Sequence, residues 1–220
     1  MTSNKPEKLP IATSPGSYGY AWQQLMKYFL YFFIVALIVA LVEVPFSNIK
    51  DTDWEDGPGT VGLQILAMAY GVLFLPVIKF GGDQLFLRGI RNEEMELGEL
   101  FIGFKRNYLN IVLANVITVA LVIIGFIFFI IPGIILACRL VFVSYLVMDK
   151  NMEPIAALEK SWAMTKGHGW RIFGMALLAI PIFIAGLLCF IIGAFVSFMW
   201  VKAAFAALYH AIDQEEELAM

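Results

Sequence analysis

Between residues 108 and 147 the chain runs for 40 positions with a single charged side chain, Arg139. A bilayer's hydrocarbon core is about 30 Å thick, and an α-helix needs about 20 apolar residues to cross it. The run is therefore twice the length of one span. Hydrocarbon offers no partner for a bare peptide group, so a stretch of this kind must satisfy its backbone internally and be helical. Pro132-Gly133 in its middle predicts a turn that folds it into a hairpin. Composition agrees: 60% of the 220 residues are hydrophobic and only 15% charged, with a mean hydropathy of +0.80. Soluble domains have about a quarter of their residues charged. The net charge of −3 is too small to imply a nucleic-acid partner.

The remaining spans follow from the same criterion. Residues 1–17 are polar and rich in Pro, Ser and Lys, which predicts a disordered tail. Trp22 and Tyr28 lead into an apolar run over 29–44, too long for a signal-peptide core and read as an uncleaved first span. An acidic loop over 47–60 carries Asp51, Asp53, Glu55 and Asp56 and the turn signal Gly57-Pro58-Gly59. A second span over 61–80 is followed by residues 81–107, where charges interleave with Leu85, Phe86, Leu97, Leu100, Phe101 and Phe104. That pattern predicts short amphipathic helices lying on the membrane surface. Residues 149–170 are polar again, with a second surface helix opening at Pro154. The last apolar stretch, 172–209, is long enough for two helices turning between Gly186 and Gly193. The expected fold is all-α: six transmembrane helices as three hairpins, with interfacial amphipathic helices. One membrane domain, 18–212, precedes an acidic tail over 213–220.

The layout repeats. Residues 99–106, Tyr108 and a hairpin resemble residues 159–166, Trp170 and a second hairpin about 60 residues later, and Trp22, Lys27 and Tyr28 head a third unit. Each unit is an interfacial segment followed by an out-and-back helix pair.

Basic residues orient the spans. The N-terminal segment has Lys5, Lys8 and Lys27, the 81–107 region and its lead-in have Lys79, Arg88, Arg91, Lys105 and Arg106, and the 149–171 region has Lys150, Lys160, Lys166 and Arg171. Lys50 alone lies on the opposite side. This bias places both termini in the cytoplasm.

Chemistry-bearing patterns are scarce. His168 and His210 have no Cys, His or carboxylate at metal-ligand spacing, and no nucleophile-elbow, zinc-protease or phosphate-loop motif occurs. No catalytic residue, cofactor or metal is expected. Cys138 and Cys189 read as small buried apolar residues. Small residues at four-residue spacing, Gly193 and Ser197, then Ala203, Ala207 and Ala211, suit close helix packing within the chain or across a homodimer. Trp200, within the last span, reads as packing.

The sharpest candidates are ionisable and polar groups inside spans: Arg139, Glu43, Lys202 and Gln64. A charge at mid-depth costs at least about 2.5–3.5 kcal/mol, so Arg139 is expected to pair with Glu43, and Lys202 to snorkel toward the interface. Arg88, Arg91, Lys105 and Arg106 are expected to face anionic lipid headgroups.

Ile131-Pro132-Gly133-Ile134-Ile135-Leu136 with Arg139, then Val147-Met148-Asp149, Ala156-Ala157-Leu158, Ser161 and Trp170-Arg171, resembles the membrane domain of the YciC-like group. That group also includes the membrane part of some glycerophosphodiester phosphodiesterases. The resemblance covers roughly residues 80–191 and implies a six-helix protein of the bacterial inner membrane. The phosphodiesterase catalytic domain, with its His-Arg-Gly start and acidic metal ligands, is absent, so no hydrolase activity is implied. Three functions are compatible with these features: a non-enzymatic accessory or scaffold acting through lipid or protein contacts, a small transporter or channel lined by the four intramembrane candidates, or a membrane domain that recruits a separately encoded enzyme.

The orientation is directly testable. Cysteines placed at Ser3 or Glu216 are expected to resist impermeant thiol reagents in intact cells, whereas one at Asp53 is labelled. Labelling at one terminus alone would mean an odd number of crossings.

Overall fold

The computed structural model describes residues 12–50 and 58–218, and every regular element among them is helical. In chain order these are α1 (Ser14–Lys27), α2 (Phe29–Lys50), α3 (Pro58–Leu73), α4 (Leu75–Ile90), a 3-10 turn (Leu97–Phe101), α5 (Ile102–Lys105), α6 (Tyr108–Phe128), α7 (Ile130–Arg139), α8 (Val143–Asp149), α9 (Pro154–Met164), α10 (Gly169–Leu188) and α11 (Phe190–Leu218). Five segments are long and apolar enough to cross a bilayer: Val61–Ile90 (α3 with α4), Tyr108–Phe128, Ile130–Asp149 (α7 with α8), Gly169–Leu188 and Ile192–Leu218. A sixth is counted when α1 and α2 are taken as one span bent by 98°. This is a multi-pass membrane helix bundle.

The hairpins are α2 with α3–α4, α6 with α7–α8, and α10 with α11. Their returning arms, α4, α8 and α11, meet at the centre, where α4 packs on both of the others. The short segments that precede each hairpin follow one rule. The 3-10 turn packs against α4, α9 packs against α8, and α1 packs against α11. Each therefore leans on a returning arm of another hairpin, and α1 on α11 joins the first unit to the last. The expected three-unit layout is what the contacts trace.

Local chemistry explains the element ends. Thr13 caps α1 by accepting the Gly16 N–H at 3.2 Å, and Pro154 opens α9 where its missing N–H costs nothing. Beyond the ends of α4 and α8, Asn92 and Asn151 take the left-handed conformation, with φ of 57° and 50°. Asparagine tolerates this better than most residues, and it is a common way to leave a helix.

Several boundaries differ from the sequence expectation. The middle hairpin turns at Phe129, which is extended, rather than at Pro132-Gly133. Pro132 instead lies in the first turn of α7, where a proline replaces an otherwise unpaired donor. A Cβ on Gly133 would come within 2.5 Å of the Phe126 ring, so the absent side chain serves close packing. The third hairpin turns at Cys189, between Gly186 and Gly193 as expected, and these glycines touch backbone to backbone. Cys189 is exposed rather than buried.

Residues 81–90 do not lie on the surface. They continue the second span, with Leu85, Leu87 and Ile90 fully buried. The part of residues 1–17 that is described is not a tail: α1 begins at Ser14. Nor is 213–218 a tail, because α11 runs on to Leu218 with Asp213 buried. Residues 1–11 and the acidic segment 51–57 lie outside the described residues. The small-residue seam on α11 is filled within the chain: Ala203, Ala207 and Ala211 are buried, and Ser197 Oγ donates to the Ile182 carbonyl on α10 at 3.0 Å.

Packing of α4 on the 3-10 turn generates one prediction. A Cβ on Gly81 would lie 2.4 Å from the Leu100 carbonyl oxygen, which cannot move without its helix. Gly81→Ala should destabilise the protein by about 1–3 kcal/mol. Gly62→Ala, with open space around it, should be neutral or stabilising by up to about 1 kcal/mol. Thermal unfolding of both variants in one detergent checks the contrast.

Candidate functional site

The charged end of the bundle is assembled by the three central helices. Arg91, one residue past α4, donates two hydrogen bonds to Asp149 at the end of α8, from Nη1 at 2.6 Å and Nη2 at 2.8 Å. Its Nε donates to His210 Nδ1 on α11 at 3.3 Å, and its Nη2 lies 3.6 Å from Asp213. Asp213 also binds Lys150, and Tyr209 donates to Asp149 at 3.2 Å. One guanidinium thus bridges three helices, as its planar set of donors allows. Burial lowers the Arg91 pKa, but the hydrogen-bonded Asp149 carboxylate outweighs this and holds it above the ordinary arginine value.

Two hollows flank this bridge. One, about 500 Å³, includes Tyr20, Arg91, Asn92, Lys150, Asp213 and Glu217 in its lining. The other, about 270 Å³, includes Arg88, Arg91, Glu99, Arg106, Asn107 and Asp149. Arg88 binds Glu99 at 2.7 Å across the second. Burial raises the Glu99 pKa against the opposing pull of Arg88, with Glu96 and Glu93 adding to the rise. Among the described residues no three His, Cys, Asp or Glu side chains converge as metal ligands.

Further into the bundle, α4 carries two more ion pairs. Asp83, buried, accepts from Lys202 of α11 at 2.7 Å. Lys79 meets Glu43 of α2 at 2.5 Å. Lys79 and Asp83 are one helical turn apart, so α4 presents opposite charges to different neighbours at successive levels.

The expected pair between Arg139 and Glu43 does not form. Glu43 belongs to Lys79, and Arg139 ends α7 with its guanidinium 5.4 Å from the centre of the Trp162 ring, a cation–π contact. Its Nη1 is buried without a hydrogen-bond partner. The span is broken at this point, and α9 repairs it. Ser161 Oγ donates to the Arg139 carbonyl at 2.7 Å and accepts the Phe142 N–H at 3.3 Å, while Thr165 Oγ1 reaches the same carbonyl at 3.4 Å. Re-satisfying freed backbone groups is the condition for breaking a helix inside a membrane.

Lys202, expected to reach for the interface, is held by Asp83 of α4. Gln64 is buried on α3, in a different hairpin from both Arg139 and Lys202. The four intramembrane candidates are therefore distributed over separate contacts. Of the four basic candidates, Arg88 and Arg91 turn inward into ion pairs, and Lys105 and Arg106 are exposed. Trp200 packs: its Nε1 donates to the Tyr18 carbonyl at 2.9 Å, and its ring lies 4.7 Å from Trp22. Sequence reasoning missed Asp83, Asp149 and Asp213, which it assigned to loops and a tail. For Asp83 the available signal was helical spacing, one turn from Lys79 on α4; Asp149 and Asp213 lie on other helices, beyond that pattern.

No protein-family model matches the chain, and no curated protein or solved structure is significantly similar to it.

The pairings predict a pattern of coupling. Glu43→Gln and Lys79→Met should each lower thermal stability, with the double variant recovering part of the loss, whereas Glu43→Gln and Arg139→Met should add independently. Asp149→Asn should cost up to about 3 kcal/mol, the low end for breaking a buried pair, because both side chains keep some exposure.

Proposed function

We propose that the protein is a non-enzymatic accessory or scaffold of the bacterial inner membrane, with both termini in the cytoplasm, acting through anionic lipids and a membrane-protein partner. The observation that carries this reading is the arrangement of the intramembrane charges. Glu43 with Lys79 and Asp83 with Lys202 neutralise each other between different helices. Such pairs tie helices together. A transport path would need these groups to face one shared, wet route, and they are spread over separate contacts instead.

The surface of the charged end supports lipid contact. Lys105 and Arg106 stand exposed at the foot of α6, and Lys166 and Arg171 stand exposed at the foot of α10. Exposed Trp162 and Trp170 accompany the second pair. Basic groups beside interfacial tryptophans suit a cytoplasmic leaflet rich in anionic lipid. The mixed-charge hollow around Arg91 and Asp213 offers a partner protein a polar surface. The order of motifs that resembles the YciC-like group is consistent with this reading.

The lipid part has a specific test. Replacing Lys105 and Arg106 with Ser together should reduce anionic lipid retained through purification, by about 2 kcal/mol of affinity at about 1 kcal/mol per basic residue. Arg88→Gln should leave bound lipid unchanged and lower stability, since Arg88 is engaged with Glu99. Native mass spectrometry reads the first and thermal unfolding the second. For the scaffold part, purification in nanodiscs should yield a stoichiometric partner. Solute flux in proteoliposomes of the protein alone, abolished by Lys79→Met, would instead favour transport.

A further inference from the structure

We infer that the turns of the second and third hairpins, at Phe129 and Cys189, stay immersed in lipid acyl chains and do not reach water on the face opposite the charged end. The partner of this surface is the hydrocarbon of the bilayer itself.

The first observation is chemical. Ile127, Phe128, Phe129, Ile130 and Ile131 form the second turn, each 70% to 75% exposed, with no polar side chain among them. At the third turn Leu187, Leu188 and Ile192 are 65% to 79% exposed. A tight turn is normally built from Gly, Asn, Asp, Ser or Pro, which supply the backbone conformations and local hydrogen bonds it needs, and the second turn has none of these at residues 127–131. Eight large apolar side chains exposed on the two tips would be an unfavourable surface in water. The first hairpin differs: its connection contains Asp51, Asp53, Glu55 and Asp56.

The second observation is the backbone. At each tip the turn residue is bonded on both sides. The Phe129 N–H donates to the Gly125 carbonyl at 3.1 Å, and its own carbonyl accepts the Gly133 N–H at 3.3 Å. The Cys189 N–H donates to the Gly186 carbonyl at 3.0 Å, and its carbonyl accepts the Gly193 N–H at 3.4 Å. Phe129 and Cys189 are 60 residues apart, as are Gly133 and Gly193, but the turns differ locally: Phe129 is extended and its N–H bonds four residues back, whereas the Cys189 N–H bonds three residues back. The turn residue itself therefore needs no water to complete its backbone bonding.

The third observation is length. Trp170, 85% exposed, and Arg171 mark the interface at the foot of α10. From Arg171 to Leu188 is 17 residues, or about 26 Å even without tilt, and the hydrocarbon is about 30 Å thick. In the second hairpin the outward arm α6 rises 20 residues from Tyr108 to Phe128, about 30 Å without tilt, so the turn at Phe129 reaches no further than the far edge of the hydrocarbon. Internal levels agree. Phe195 lies 6.0 Å from Phe33, and with Ala194 and Phe198 it lines a groove shared with Ala36, Val39 and Glu43. Cys189 is six residues beyond Phe195, about 9 Å, which brings it to about the level of Glu43. Helix α2 continues seven residues past Glu43 to Lys50, about 10 Å further.

The test uses the full-length protein in proteoliposomes opened to reagent on both sides. In a Cys138→Ser background, native Cys189 is one probe. Phe129→Cys and Asp53→Cys, each with Cys189→Ser added, are the others. A charged maleimide should label Asp53→Cys and leave Cys189 and Phe129→Cys unlabelled until detergent is added. Spin labels at 129 and 189 should then collide at least ten times more with lipid-soluble oxygen than with a water-soluble nickel chelate, relative to the label at 53. Maleimide labelling of either tip at the rate seen for Asp53→Cys would overturn the inference. So would nickel-dominated collisions, or shielding from both reagents, which would place the tips against protein instead of lipid.

Discussion

Helix α4 and the charges along it are what the rest of the structure depends on. Its apolar residues fill the centre of the bundle, and its length reaches from the level of Glu43 to the charged end. At three levels it meets its neighbours through a charge: α2 through Lys79, α11 through Asp83, and α8 and α11 together through Arg91 just past its end. An isolated charge would be expelled from this environment. Paired, each becomes a register mark, because a shift of one turn would separate both partners and leave two uncompensated charges in place of none. Dispersion and apolar packing hold the helices together without fixing which residue faces which. The ion pairs supply that specificity.

A second constraint is that every irregularity at depth must be repaired. The break between α7 and α8 exposes the Arg139 carbonyl and the Phe142 N–H, and one hydroxyl, Ser161, bonds both. This makes α9 a structural part of the span it leans on. The position of Arg139 follows: once α9 docks, Trp162 is brought beneath the guanidinium. The aromatic face, and not a carboxylate, is the nearest stabilising group.

The same logic organises the three units. A hairpin alone has two apolar flanks and one charged foot. Leaning each preceding segment on the returning arm of another hairpin covers the central helices at their charged ends while leaving the outward arms to lipid. Close glycine contacts at Gly125 with Gly133 and Gly186 with Gly193 let the two arms of a hairpin meet without side chains between them. The second and third hairpins end in apolar tips, whereas the feet carry the charge and the interfacial aromatics. Among the described residues the second and third hairpins are thus asymmetric along their length, charged at the feet and apolar at the tips.

What the amino-acid order settled by itself was the class of solvent, the helical secondary structure, the pairing of spans into hairpins and the three-unit rhythm. All of these follow from run length, turn residues and composition, which act locally and need no partner. The ends of elements were less legible. Residues 81–90 and 213–218 carry charges that look like loop or tail chemistry, and only the fold brings Lys202 to Asp83 and Arg91 to Asp213, making burial tolerable. The candidate site was hidden for the same reason. A lone Arg139 and a lone Glu43 are each conspicuous inside apolar runs, which invites pairing them. Proximity in three dimensions gave Glu43 to Lys79 and Arg139 to Trp162. Electrostatic partnership falls off within a few ångströms, so the identity of each partner belongs to tertiary structure, whereas the need for one is written in the sequence.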